Sequence, residues 1–489
     1  MIRIFLSLVI LLGFSVGSSI AGEVYGPYKV TLKGYSGSKK NSVSYSGQVA
    51  RQVLHTSLKK VSSSGSLETM LPYYTGMEYM GTAKASLDII DPKWSEKFPI
   101  KPSTVNEISS GKNLNGKAYK GIINGWPGQK TGKEVIDFMI RKAAKSNKGV
   151  DLANGYNYTQ LISKFVMGAV FYNQAVDGYL DEKLSKPNDK PYKKGAYYTG
   201  KEHVWDEAFG YWGAAAHTLT LSPKEQYEVA KKKNLKAADY NKDGVVDLRN
   251  EMTFAHAYYA ASFDKGGKTN YSKTIMQAFI DGRKLIESAN GAKFSDSQNA
   301  KLKSYVDIIT SNWEKVIAES VFKYAGSVYL DMAKLEKAIK NGSSTDKAYS
   351  AYLKHWGELK GFALSLQTGK RNLGDTAVKL NRMIGFSPLT PSLIILSTCC
   401  CVLTKKNSFF SYLKFLNCDC NDKKGDRGKK DRHKLNFSFH RADEDVSVKF
   451  GFFDFGIRFL FQLTFPSVQV LIHFCRFGLN DLNELHLIH

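Results

Sequence analysis

From Lys133 to Ile384 apolar residues return at helical spacing almost without interruption. That period rules out most sheet architectures for the body of the chain. Residues 133–146, 157–183, 202–219, 223–234, 249–264, 271–290, 296–340, 345–367 and 375–384 each read as a helix. Leu161, Phe165, Ala169, Tyr172 and Ala175 carry the apolar stripe of the second. Ser295 or Asp296 caps the 296–340 helix, Gly342 lies just past its end, and a bend or break is expected near Gly326. Ahead of this region, 42–60 reads as an amphipathic helix with Val49, Val53 and Leu58 on one face and a structural His55 beside it. Residues 67–131 are rich in Gly, Pro, Lys, Ser and Asn and read as a long irregular excursion. Few runs alternate with period two. The expected fold class is therefore all-α: two packed helical bundles with an irregular N-terminal excursion.

The two ends follow other rules. Arg3, the apolar run Ile4 to Phe14 and the small residues Ser19-Ile20-Ala21 have the form of a signal peptide, with cleavage expected after Ala21. The apolar run is too short for a transmembrane anchor. The mature protein is expected to be exported, to the periplasm or the cell surface. All six cysteines lie beyond Thr398, so a disulfide framework is excluded for the body. From about Pro388 the composition changes: 14 of the 28 phenylalanines fall in the final 103 residues, together with every cysteine. A frameshift or non-native reading frame after Gly385-Phe386-Ser387-Pro388 is the reading preferred over a small extra domain. The expected organisation is thus a signal peptide at 1–21, a first helix and excursion at 22–131, a helical domain at 132–387 and an anomalous tail at 388–489. The net charge of +24 comes in short lysine runs such as Lys231-Lys232-Lys233. It reads as a solvated surface, and no nucleic-acid partner is expected.

One stretch has the spacing of a calcium loop. Residues 239–251 read D-Y-N-K-D-G-V-V-D-L-R-N-E. Asp239, Asn241 and Asp243 put side-chain oxygens at positions one, three and five, and Gly244 allows the sharp turn at six. Val245 offers its carbonyl, Val246 packs inward and Asp247 stands at position nine. Position twelve departs from the pattern: Asn250 replaces the bidentate glutamate, and Glu251 follows one residue late. The plainer alternative is a polar turn between helices. A calcium ion here is expected to be structural.

Two helices carry histidine beside carboxylate. In G-K-E-H-V-W-D-E-A-F-G-Y-W, residues His203, Asp206 and Glu207 share a face, opposite Trp205, Ala208, Phe209 and Trp212. Gly210 and Ala214 on the histidine side suggest that another helix packs close. In H-W-G-E-L-K-G-F, His355 and Glu358 repeat the spacing, and His355 is expected to point to the core with Glu358 at its edge. Histidine with carboxylate suits zinc, iron or manganese. The alternative is a pair of core histidines bonded to a carboxylate or a carbonyl. No H-E-x-x-H, G-x-S-x-G, P-loop or dinucleotide fingerprint accompanies them.

Taken together, E-H-V-W-D-E-A-F-G-Y, D-Y-N-K-D-G-V-V-D and H-W-G-E-L-K-G-F-A-L resemble a bacterial family of exported helical proteins, domain of unknown function 4856 (DUF4856). The opening S-Y-S-G-Q-V-A-R-Q-V-L and the ending R-M-I-G-F-S-P are similar to that family's ends, so the resemblance covers about residues 25–388. The group in turn looks distantly like the imelysin family of helical bundles, linked to iron uptake and sometimes classed as metallopeptidases. Its G-x-H-x-x-E motif is approached by His203 and Asp206, with Gly200 one residue out of place. The resemblance implies imelysin-like bundles and, as partners, surface or iron-uptake components. Three functions stay open: a calcium-bound protein holding iron or zinc through His203, Asp206, Glu207, His355 and Glu358; a metallopeptidase on the same residues; and a non-catalytic surface interaction module.

Overall fold

The computed structural model describes residues 22–93, 98–369 and 375–389, and beyond them only backbone strands between 434 and 488. The expected signal peptide lies outside the described residues. Helix α1 (Ser46–Ser62) forms where the first amphipathic pattern predicts it. The excursion is mostly irregular but opens with α2 (Leu67–Thr75). That helix was legible locally: Ser66 and Thr69 make a capping box, and Gly76 ends it at φ 73°. Strand β1 (Ile100–Lys101) and the single-turn α3 (Val105–Ile108) follow.

The helical region begins with α4 (Gly132–Ala144), which leads through β2 (Val150–Asp151) and β3 (Tyr156–Asn157) into α5 (Tyr158–Val166). The helix expected over 157–183 is present, but beyond Val166 it is wound as π-helix, over Met167–Tyr172 and Gln174–Glu182. Apolar spacing carries no signal for that widening. Next come α6 (Gly200–Trp212), α7 (Pro223–Ala230) and α8 (Leu235–Ala238). Helix α6 is shorter than the expected 202–219 because Gly213 takes a left-handed φ of 83° and ends it. Strand β4 (Val246–Asp247) precedes α9 (Ala255–Asp264), which starts later than the expected 249. The body closes with α10 (Tyr271–Ser288), α11 (Asp296–Lys340), α12 (Asp346–Ser365) and α13 (Asp375–Ile384). Helix α11 stays helical over all 45 residues, without the break expected at Gly326.

Three small-residue contacts set helix spacing. A Cβ on Gly361 would lie 2.7 Å from Lys164 Cβ, and one on Gly357 would lie 3.0 Å from the Asn157 carbonyl, so α12 sits tightly on α5. A Cβ on Gly282 would lie 2.1 Å from the Trp205 ring, which seats α6 on α10. The buried apolar side chains form one continuous cluster from Tyr25 to Leu366. It includes Leu87, Ile89, Ile100, Ile123 and Trp126 of the excursion, so excursion and helices share a core rather than forming separate bodies. The two-bundle division expected from sequence does not appear as two cores. Trp205, Trp212, Trp313 and Trp356 are its largest buried side chains.

Sheet is scarce in the body: β1 pairs with β4 in parallel, Ile100 opposite Val246, and β2 pairs with β3. In the tail, β5 (Lys434–Arg441), β6 (Glu444–Gly451), β7 (Phe459–Phe465), β8 (Val468–Phe474) and β9 (Leu487–Ile488) form an antiparallel meander. Leu435, Phe437 and Phe439 opposite Phe450, Val448 and Val446 do alternate with period two. Residues 390–433, where the expected foreign tail begins, lie outside the described residues. Among the described residues no helix is long and apolar enough to cross a membrane.

Candidate functional site

Helix α6 begins with a buried capping box. The Glu202 amide donates to Thr199 Oγ1 at 3.1 Å, and the Thr199 amide donates to Glu202 Oε2 at 2.8 Å. The other Glu202 oxygen accepts from the Thr31 hydroxyl at 2.9 Å and lies 3.5 Å from the Arg283 guanidinium of α10. Arg283 Nε donates to Asp206 Oδ1 at 3.0 Å, and the Tyr25 hydroxyl donates to the same oxygen at 2.7 Å. The Ser44 amide donates to Asp206 Oδ2 at 3.0 Å. Glu202, Asp206 and Arg283 are wholly buried. Two carboxylates thus share one guanidinium, and the N-terminal segment is bonded to both.

The expected face of His203, Asp206 and Glu207 therefore divides. Asp206 turns inward to Arg283, whereas His203 Nε2 lies 3.2 Å from Glu207 Oε2. The His203 ring stacks on Tyr198 at 4.7 Å and meets Tyr192 at 3.9 Å. Its Nδ1 is buried without a hydrogen-bond partner among the described residues. Gln48 of α1 donates to Glu207 Oε1 at 2.6 Å. Burial pushes the Glu207 carboxyl up, but His203, Gln48 and Tyr179 outweigh it and hold the group below the usual carboxylate range. The close-packed neighbour expected from Gly210 is α1: a Cβ there would lie 2.7 Å from Gln48 Cβ.

Helix α12 reverses one sequence expectation. Glu358 is the buried residue, 6% exposed, and His355 is only partly covered. The reason is Lys164 of α5, whose Nζ lies 3.3 Å from Glu358 Oε1 in the core. Burial raises the Glu358 carboxyl, and attraction to Lys164, Lys354 and Lys59 overcomes it, so the group sits below its ordinary value. His355 bonds not to Glu358 but to Asp331 of α11, with Nδ1 donating to Oδ2 at 2.5 Å. His203 and His355 thus have different partners and stand in separate clusters.

The acidic loop is wound by its own side chains. Asp239 accepts from the amides of Asp243 and Gly244 at 3.2 and 3.0 Å. Asn241 accepts from the Asp243 amide at 3.0 Å, Asp243 from the Val245 amide at 2.9 Å and Asp247 from the Arg249 amide at 2.9 Å. Lys242 and Gly244 take left-handed φ values of 62° and 83°. Val246 is buried, as expected. Glu251 reaches back across the loop and accepts from the amides of Tyr240, Asn241 and Asp247 at 3.1, 3.3 and 2.7 Å. Burial raises its carboxyl, and those amides oppose the rise only in part. Asp239, Asn241, Asp243 and Asp247 keep partial or full exposure.

Among the described residues no three His, Cys, Asp or Glu side chains are grouped to hold a metal ion. For the acidic loop, the donor chemistry fits calcium: oxygen only, from two to three carboxylates, an amide and a carbonyl on a tightly turned backbone. Glu251 fits least: like Asp239 it has both oxygens engaged by amides, and it alone of the set is buried, 3% exposed. Sequence reading missed the partners Arg283, Lys164 and Asp331. The available signal was charge at core spacing, as in Lys164 within L-I-S-K-F-V-M.

Residues 139–372 match the model of a family described as domain of unknown function, DUF4856. This region of the chain belongs to that family. The DUF4856 region takes in α6, the acidic loop and α12, and it leaves α1 outside. No curated protein and no solved structure matches the chain.

Proposed function

We propose that this DUF4856 protein is an exported, non-catalytic helical binding module whose 239–251 loop takes a structural calcium ion. The observation that carries the reading is the loop's winding: Asn241, Asp243 and Asp247 each accept from the backbone amide two residues ahead, around a left-handed Lys242 and Gly244. Asp239, Asn241, Asp243, Asp247 and the Val245 carbonyl would hold the ion, and Glu251 acts as the brace that closes the loop. Calcium would supply charge neutralisation for the clustered carboxylates. It would also stiffen β4, which pairs with β1 and so ties the excursion to the helices.

The residues suggested for iron or zinc favour a structural role. Asp206 is paired with Arg283, Glu358 with Lys164, and His355 with Asp331. An imelysin-like metallopeptidase would need these groups free to hold an ion with an open coordination position, and their buried pairings weigh against it. Calorimetric titration with calcium tests the proposal. The intact chain is expected to bind about one ion, and Asp243→Ala to bind none while keeping its fold. Equal binding by Asp243→Ala would remove the loop from the account.

A further inference from the structure

Lysine ammonium groups crowd one seam of the molecule, away from both α6 and the acidic loop. His55 of α1 donates from Nε2 to the Ser163 carbonyl of α5 at 2.8 Å, and Ser62 donates to Thr159 at 3.2 Å. Lys59 lies between those two contacts, beside Lys164. Asp91 joins the same stretch to the end of α7: its carbonyl accepts from Thr56 and Ser57, and its carboxylate pairs with Lys232. Lys231, next to Lys232, stands 5.1 Å over the Tyr258 ring. A row of tyrosines continues from there. Tyr227 stacks on Tyr258 at 5.6 Å, Tyr258 meets Tyr259 edge-on at 4.8 Å, and the hydroxyls of Tyr259 and Tyr324 are 3.3 Å apart. Lys164 lies 5.6 Å from the centre of the Tyr259 ring, and Lys323 5.1 Å from that of Tyr324.

Lys59, Lys164, Lys231 and Lys323 therefore converge, and the carboxylates acting on them are already paired, Glu358 with Lys164 and Asp91 with Lys232. Lys231 and Lys323 are exposed and Lys59 is half-buried. We propose that this seam binds a polyvalent oxyanion of the phosphate class, held by Lys59, Lys231 and Lys323 over the Lys164–Glu358 pair. The proposal goes beyond the calcium reading and does not depend on it. Lysines act as compact point charges, which suits a phosphate group gripped from several sides. The tyrosine faces are covered by the lysines, so they offer no platform for stacked nucleic-acid bases.

In the free protein the crowding has a cost. Repulsion from Lys164, and then burial, bring the Lys59 ammonium down to about 7. The groups acting on it are Lys164 of α5, Glu358 of α12, Lys231 after α7, Asp91 in the excursion and His55 on its own helix. A bound anion reverses the sign of the local field and returns the proton. Binding near neutral pH therefore takes up protons, and binding at pH 6 takes up few.

The experiment is calorimetric titration of the full chain with pyrophosphate at pH 7.5, in two buffers of different ionisation enthalpy. Binding with uptake of up to about one proton is expected. Lys59→Arg keeps the charge at every pH, so it should take up fewer protons on binding than the parent. The double variant Lys59→Gln/Lys323→Gln should bind at least about ten-fold more weakly. Its unfolding midpoint without anion should equal or exceed that of the parent, because a repulsion has been removed. A folded parent that binds no pyrophosphate overturns the proposal. So does a double variant that binds as tightly, or a parent and Lys59→Arg with the same proton uptake.

Discussion

Arg283 shows how a single side chain can organise distant segments. Its guanidinium is fully buried between Glu202 and Asp206, with the Tyr25 hydroxyl on the same Asp206 oxygen and Ser42 accepting at 2.6 Å. Removing it leaves two buried carboxylates uncompensated. Arg283→Met is expected to lose about 3–5 kcal/mol in denaturant unfolding, and a loss below about 1 kcal/mol would contradict the clasp. His256 is the opposite case: fully buried, with neither ring nitrogen bonded to any described residue, beside Trp313 at 5.8 Å. Burial, and then the neighbouring His55, bring it down to about 3, and burial does the same to His55. Each histidine binds a proton in the unfolded chain below about pH 6.5 and in the folded chain only near 3. Stability should therefore fall as pH drops from about 6.5 toward 3, by about 1.4 kcal/mol per pH unit for each. His256→Leu should remove its own share of that slope, which His55 and His217 also carry, and cost little at pH 7, since no hydrogen bond to a described residue is lost. Urea unfolding at pH 6.5 and 5 measures it, and an unchanged slope would refute the assignment. Neither role was legible from sequence. Arg283 stands beside Lys284 in a mixed helix and His256 alone in an apolar one, and in both cases the meaning comes from what packs against them.

At the scale of the element, the short sequence signatures prove to be junctions. In H-W-G-E-L-K-G-F, Trp356 donates to the Ile384 carbonyl at 3.2 Å. Lys360 donates to the carbonyls of Gly125, Asn381 and Gly385, at 3.1, 3.1 and 2.9 Å. The two glycines admit α5. In S-G-Q-V-A-R-Q, Gln48 bonds Glu207, Arg51 the Asn113 carbonyl and Gln52 the carbonyls of Gly210 and Tyr211. Helix periods and caps were legible, because they are local: most helices start and stop within a few residues of their expected bounds. The π-wound stretch after Val166 and the early end of α6 were not, since the first depends on packing and the second on the φ of Gly213. Gly361→Ala tests the junction reading. The added Cβ would lie 2.7 Å from Lys164 Cβ, on two helix backbones that cannot easily part. A loss of about 1–3 kcal/mol is expected, whereas helix propensity alone would predict a gain of about 1 kcal/mol.

At the scale of the whole molecule, a helical body and an irregular excursion share one core, and the acidic loop stands where they meet. Val246 donates its amide to the Pro99 carbonyl at 2.8 Å, and Leu248 to that of Lys101 at 2.7 Å. Ordering the loop therefore orders the excursion. The all-α class was legible from the period of the apolar residues, while the union of excursion and helices was not, because it rests on contacts between residues more than a hundred positions apart. The sequence also suggested one transition-metal centre from two helices, yet each helix spends its carboxylates on its own buried partner. The measurement that tests this account most directly is the elemental content of the full chain after exhaustive dialysis, read by mass spectrometry beside Asp243→Ala and His203→Ala/His355→Ala. The account predicts about one calcium per chain, lost in Asp243→Ala and kept in the histidine variant. A stoichiometric transition metal that disappears with the histidines, or a chain that retains no calcium, would contradict it.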